Sequence, residues 1–259
     1  MIDFLKFINY FYEIETDVCD IVKKHKLCPG SEYLSAFSTN VADFNFNHIV
    51  PIGNITPRDV MIATENEFKM RNREPVVYVT PLCNDYPCSG NDDLQLISTD
   101  AWMVFEGKKT TKFESNDIIV RIATNADIDG YIDVYYKGFS TGVYSDMESG
   151  YAITERKSFD NPYKTKLMAF YKDKPIGVVS VDVKDDVAYI ESFAVLPEYR
   201  RGGEAARILG NAAIRASYNK GANNIFIITA AGTALERFYQ MAGFSTKFCG
   251  CFYKWRKQS

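Results

Sequence analysis

The segment Ala188–Ser217, AYIESFAVLPEYRRGGEAARILGNAAIRAS, limits what this chain can fold into more than any other. Ala188 to Val195 is an apolar strand. Pro197 ends it, because proline has no N–H to give to a ladder. A turn follows at Arg200-Arg201-Gly202-Gly203. Beyond it, Ala205, Ile208, Leu209, Ala212, Ala213 and Ala216 recur with the spacing of one buried helix face. Strand, glycine turn and helix N-terminus together favour an anion. The first helical N–H groups have no internal acceptor, the helix dipole favours negative charge there, and glycine lets a phosphate approach the backbone.

The nature of that anion is narrowed by what the turn lacks. It has neither the G-x-G-x-x-G dinucleotide pattern nor a phosphate loop ending in Gly-Lys-Ser/Thr. It carries Arg200-x-x-Gly203-x-Ala205. A second strand, Asn224 to Thr229, follows the helix, and then comes Phe238-Tyr239-Gln240-Met241-Ala242-Gly243-Phe244. In this order and spacing the segment resembles the GNAT acyltransferases. Their R/Q-x-x-G-x-G/A loop holds the pyrophosphate of acetyl-CoA, and they close with an "FYxxxGF" segment. The bland alternative is a plain βαβ crossover with a glycine turn.

Composition sets outer bounds. A chain of 259 residues fits one large or two small domains. A formal net charge of −3 argues against nucleic-acid binding as its main business. No apolar run approaches the roughly 18 residues of a membrane span. The acidic, aromatic N-terminus does not read as a secretory signal, so a cytoplasmic protein with reduced thiols is expected. Cys83-x4-Cys88, Cys249-x-Cys251 and the two histidines, His25 and His48, do not make a zinc pattern, and no metal is expected.

Taken in order, residues 2–27 suit a helix stopped by Pro29-Gly30. A strand is expected over Phe44–Val50. Thr56 is expected to cap a helix to about Asn72, and Pro75–Thr80 reads as a buried strand. A short helix near Asp92–Ile97 and a strand around Ala101–Phe105 come next. This section has the strand–helix–strand order of the later one, and it resembles the degenerate first copy of tandem GNAT proteins. Its turn, Pro51 to Pro57, lacks the arginine–glycine motif and is expected to hold no coenzyme. The polar stretch Gly107–Asn116 is the expected boundary, giving domains 1–112 and 113–259. From Asp117 the expected order is β-α-α-β-β-β-α-β-α-β. That order matches the GNAT fold over about 140 residues, so the fold class is α/β, an α+β mixed sheet.

The resemblance assigns roles. Backbone amides of Arg201, Gly202, Gly203, Glu204 and Ala205 hold the pyrophosphate, with the Arg200 and Arg201 side chains adding charge. Phe193, Ala194 and Val195 offer a splayed strand edge to the pantetheine. One amide there, Val195, faces the thioester oxygen, and losing such a donor typically costs about 3 kcal/mol. Glu191 is the candidate base, working through water, its pKa raised by burial; the alternative is a solvent-facing strand residue. Tyr239 is the candidate acid for the leaving sulfur, or else a packing residue. Thr233 caps the last helix and touches the coenzyme. Gly232 stands where many members carry an asparagine that supports the pantetheine.

For the acceptor, the resemblance points to Phe139–Tyr151, with Tyr144, Asp146 and Glu148. The two acids suit a cationic amine, or are simply solvated. The implied activity is direct transfer of an acetyl group to a primary amine of a small molecule or peptide, with no nucleic acid or membrane partner, by a monomer or homodimer. Two alternatives stay open: a non-catalytic acetyl-CoA sensor on the same scaffold, and transfer of an aminoacyl or longer acyl group.

Overall fold

The computed structural model describes residues 4–15, 18–86, 93–107, 115, 117–139 and 148–256. Its elements in chain order are α1 (Phe4–Ile14), β1 (Ile21–Cys28), β2 (Ser31–Phe37), β3 (His48–Gly53), α2 (Pro57–Met70), β4 (Val76–Val79) and β5 (Leu94–Phe105). Then come β6 (Ile118–Ile122), α3 (Ile128–Phe139), α4 (Glu148–Ser158), β7 (Lys164–Tyr171), β8 (Lys174–Lys184) and β9 (Val187–Val195). The chain ends with α5 (Glu204–Asn219), β10 (Asn224–Ala230), α6 (Ala234–Met241) and β11 (Phe244–Trp255). Two compact units emerge, and no single cut separates them. Residues 228–238 and 246–259 belong with 1–103, and residues 239–245 belong with 104–227. The polar stretch 107–116, where a boundary was expected, lies mostly outside the described residues.

In the first unit the strand order is β1-β2-β3-β4-β11-β5. β1, β2 and β3 form an antiparallel meander. β3 and β4 run parallel, linked through α2. Thr56 caps α2 as its sequence implied, its Oγ1 accepting the Asp59 N–H at 3.1 Å. Val60, Met61 and Phe68 of α2 bury themselves against Phe37, Ile49, Val77 and Val79.

Three expectations fail here, one of them in part: of the strand expected over Phe44–Val50, Phe44–Phe46 is a 3-10 turn and only the residues from His48 are strand. The helix expected over 2–27 stops at Ile14, and Ile21–Cys28 is a strand. Beyond Ile14 the 3.6-residue stripe gives way to the β-branched pair Ile21-Val22 and a run of lysines, which suits an exposed edge. Pro29-Gly30, with Gly30 at φ 78°, is the hairpin turn rather than a helix stop. The short helix expected near 92–97 is instead the start of the 12-residue strand β5. There, ladder bonding and the β-branched Ile97 and Thr99 outweigh a weak local helical pattern.

The second unit has the order β10-β9-β8-β7-β6, with β9 and β10 parallel and the others antiparallel. Its elements follow the order expected from Asp117 onward. The β7–β8 turn places Lys172 and Asp173 at φ 47° and 65°, as a tight two-residue hairpin requires. Thr124 N–H and Oγ1 both donate to Asp127 Oδ2, at 2.8 and 2.9 Å, and fix the entry to α3. The Arg121 guanidinium grips the same carboxylate with two bonds and holds Asp127 well below the usual carboxylate range. Tyr131 and Val134 of α3 pack with Met168, Val178, Ala194 and Leu196. Phe193, the neighbour of Ala194, turns the other way, to within 3.6 Å of where a Cβ on Gly210 of α5 would sit.

In the core of the first unit, Trp102 Nε1–H donates to the Tyr78 hydroxyl at 2.6 Å, and both rings are buried. Replacing Tyr78 with phenylalanine leaves the indole N–H without that acceptor. We expect this to lower unfolding free energy by about 1–3 kcal/mol, read as a shifted urea midpoint at unchanged slope.

Candidate functional site

Strand β9 does not run straight. Val178 opposes Ala194 and Ser180 opposes Glu191, so β9 carries one residue more than β8 across this interval. Ser192 absorbs the extra residue at φ 51°, a left-handed conformation that side-chain-bearing residues rarely adopt. The bulge decides which way the following residues face. Ala194 lies under α3, where an added Cβ on Gly138 would stand 2.7 Å from its own Cβ. A one-residue slip would bring Phe193 into that crossing, which has no room for it.

Beyond β9 the chain makes two short 3-10 turns, Pro197–Tyr199 and Arg201–Gly203, and enters α5 at Glu204. Gly202 and Gly203 sit at φ 75° and 69°, and a Cβ at either would meet nothing within 4 Å. Glycine is therefore required by the backbone rather than by crowding, and the space above the turn is open. Gly203 N–H donates to the Arg200 carbonyl at 3.0 Å. Arg201 and Arg207 are exposed beside the turn. Arg200 is directed elsewhere: its Nε–H donates to the Val195 carbonyl at 2.8 Å and its Nη2–H to the Gly138 carbonyl. It ties the end of α3 to the end of β9.

The corresponding turn of the first unit, between β3 and α2, is closed. Gly53 N–H donates to Leu82 O, Asn54 N–H to Gly30 O and Ile55 N–H to Gly53 O, at 2.8, 2.8 and 3.1 Å. An added Cβ on Gly53 would lie 2.3 Å from the Gly30 carbonyl oxygen. Two turns in the same strand–helix context thus differ in the space around their glycines.

Glu191 does not face solvent. Its Oε1 accepts from Lys164 Nζ at 2.8 Å, and the same ammonium lies 3.2 Å from Asp182 Oδ2. The Lys164 and Asp182 side chains are 2% and 0% exposed, so this group is essentially dry. Asp182 Oδ1 accepts from Ser180 Oγ at 2.8 Å. Burial, then the charge of Glu191, pushes the Asp182 carboxyl up to about 7. A second pair lies alongside: Lys166 Nζ to Glu155 Oε2 at 2.9 Å, with Ser192 Oγ–H donating to Glu155 Oε1 at 3.2 Å. The sequence reading picked out Glu191 and missed Lys164, Asp182 and Glu155. The signal was present in part, since Asp182 interrupts the apolar run Val178–Val183 and Lys164 and Lys166 open β7 on one face.

Tyr239 of α6 is half-buried, edge-on to Phe193 at 6.3 Å and to Phe244 at 6.0 Å between ring centroids. Burial pushes its phenol above the ordinary value, so it carries its proton throughout the neutral range. Thr233 caps α6, its Oγ1 accepting the Glu236 N–H at 3.3 Å while donating to the Ala230 carbonyl at 2.7 Å. Gly232 takes φ 74° in the turn before it, and its N–H donates to Glu236 Oε2 at 2.6 Å. The structure thus brings Glu191, Phe193, Ala194, Val195, the 200–205 turn and Tyr239 into one unit, while Thr233 belongs to the other. Tyr144 and Asp146 lie outside the described residues, as does the side chain of Glu148.

Residues 131–244 match the family model described as Acetyltransferase (GNAT) family. These residues form a GNAT domain. The match begins within α3 and ends at the first residue of β11. Among curated proteins none matches the chain. Solved structures resemble it over almost its whole length. A GCN5-related N-acetyltransferase from Kribbella flavida is 11% identical at a TM-score of 0.70, covering 98% of this chain and 95% of the other. A functionally unknown conserved protein from Staphylococcus epidermidis is 16% identical at a TM-score of 0.65, covering 95% and 97%. A tandem GNAT protein from the clavulanic acid biosynthesis pathway is 10% identical at a TM-score of 0.58, covering 86% and 78%. At such identities the likeness is one of fold.

Asp182 also ties the GNAT domain's stability to pH. Its folded pKa lies above the unfolded value of about 4, so the folded state holds a proton the unfolded state releases, and stability falls as pH rises from about 4 to about 7. Asp182→Asn should remove this one group's share of the slope, measured as urea stability of the two proteins at matched pH values.

Proposed function

We propose that this protein is an acetyl-CoA-dependent N-acetyltransferase that transfers its acetyl group directly to a primary amine in a ternary complex. One observation carries the reading most. The 200–205 turn presents two left-handed glycines, open space above them and the N–H groups of the first turn of α5. That donor set suits a diphosphate at a helix N-terminus. Arg201 and Arg207 stand beside it as cations.

Coenzyme A supplies the acetyl group as a thioester. The chain's own residues supply the rest. The β9 edge at Phe193, Ala194 and Val195 pairs with the pantetheine arm, and the Val195 amide faces the thioester oxygen. Glu191, held by Lys164, takes the proton of the acceptor ammonium through water. Tyr239, protonated at neutral pH, gives a proton to the departing thiolate. Two carboxylates around one lysine leave the dry group rich in acceptors, which suits a cationic amine. The first unit is a degenerate copy of the fold with its anion turn closed, and it holds no coenzyme.

A second reading, coenzyme binding without transfer, is favoured by one fact: Lys164 already occupies Glu191. Thiol release across a panel of amines separates the two. For the first reading, Glu191→Gln and Tyr239→Phe should each lower kcat by about a hundredfold while coenzyme A affinity by calorimetry stays within about threefold. Normal turnover in both variants would remove those roles. Gly203→Val, which forces a branched side chain into left-handed backbone, should lower coenzyme A affinity at least tenfold, and undiminished binding would move the coenzyme elsewhere.

A further inference from the structure

The bulge in β9 is held from outside the strand. Ser192 keeps φ 51° without being glycine, a conformation that persists only where surroundings enforce it. The enforcing group is Glu155, on the last turns of α4. Its Oε1 accepts the Ser192 hydroxyl at 3.2 Å, and its Oε2 is fixed by Lys166 Nζ at 2.9 Å and by Ser158 Oγ at 3.4 Å. Lys166 in turn lies over the Tyr131 ring of α3, 5.3 Å from its centroid. The Glu155 and Lys166 side chains are 11% and 3% exposed, so the carboxylate has little freedom to swing. A helix next to the expected acceptor segment therefore grips the residue between Glu191 and the strand edge that follows it.

The geometry points to Glu155 as a positioning residue for acyl transfer: acting through Ser192, it holds the β9 bulge so that the amides of residues 193–195 face the thioester. This rests on the acetyltransferase reading above. Glu155 touches no reacting atom in this scheme. Its contribution is to keep Ser192 left-handed, which sets Phe193 toward α5 and Ala194 toward α3, while the β10 side of residues 193–195 lies beyond the β9–β10 register at Val187–Tyr189. A displacement of about 1 Å at such an edge is enough to cost about a hundredfold in rate.

The test compares Ser192→Ala, Ser192→Gly, Glu155→Gln and the double variant Glu155→Gln/Ser192→Gly. Alanine keeps the strained Cβ and loses the hydroxyl; glycine adopts φ near 50° with no lock. Acetyl transfer, coenzyme A affinity and amide hydrogen exchange at residues 193–195 are measured on each. We expect Ser192→Ala and Glu155→Gln to lower kcat tenfold to a hundredfold, with coenzyme A affinity within threefold and faster exchange at 193–195. Ser192→Gly should stay within about threefold of the parent, and glycine should restore most of the rate lost in Glu155→Gln.

Parent-like kcat and exchange in Ser192→Ala, or a double variant as slow as Glu155→Gln, would overturn the proposal. If Glu155→Gln fails to fold, the alanine and glycine variants at 192 decide it alone. If the parent protein transfers acetyl to no amine, the acetyltransferase reading fails instead, and the exchange rates with their rescue by glycine still decide whether Glu155 holds the bulge.

Discussion

One extra residue in β9 governs the second unit. Pairing with β8 resumes beyond it at Ala194 and Val195, but with the side chains moved one position along the strand. With it, Phe193 packs toward α5 and Ala194 fits beneath Gly138, while the β9–β10 register covers only Val187–Tyr189 and leaves the β10 side of residues 193–195 open. The helices on the two faces are committed to that register, because the Gly138 crossing has no room for Phe193. Arg200 reinforces the arrangement by joining the carbonyls of Val195 and Gly138. An arginine read from its motif as a phosphate ligand spends its guanidinium on the frame, and the exposed Arg201 and Arg207 are left as the cations beside the turn.

The charged interior of this unit follows from the same geometry. Glu191 precedes the bulge and Ser192 sits on it, so two neighbouring positions send polar groups to two different partners. Lys164 sits between Glu191 and Asp182, and Glu155 between Ser192 and Lys166. Buried pairs of this kind seldom add net stability over apolar packing, because both charges lose their water. They are better understood as fixing directions. Removing one member leaves the other stranded at a cost of several kcal/mol, so the network tolerates little rearrangement.

Much of this was legible in the sequence. The Ala188–Ser217 stretch gave its strand, turn and helix correctly because proline, paired glycines and a regular apolar stripe are local signals. Thr56 capped its helix for the same reason. The misreadings came where local preference was weak and a long-range partner decided. Ile21–Cys28 is a strand because Ser31–Phe37 pairs with it, and Leu94–Phe105 is one long strand because β11 lies alongside. The partners of Glu191 escaped for a related reason. Lys164 and Asp182 are distant from it in the chain, and only antiparallel pairing brings them together. The bulge at Ser192 has no residue signature, since serine carries none of glycine's conformational hint.

The closed turn between β3 and α2 has a consequence for how the two units respond to their surroundings. The amides of Gly53, Asn54 and Ile55 are satisfied by Leu82, Gly30 and Gly53, so they offer no donor to a dissolved anion. The turn before α5 is open above its two glycines, and any diphosphate that binds only the native form there adds to the second unit's stability in proportion to the logarithm of its concentration. On the coenzyme reading proposed above, the two halves of the molecule would answer differently to dissolved diphosphate, one indifferent to it and the other steadied by it.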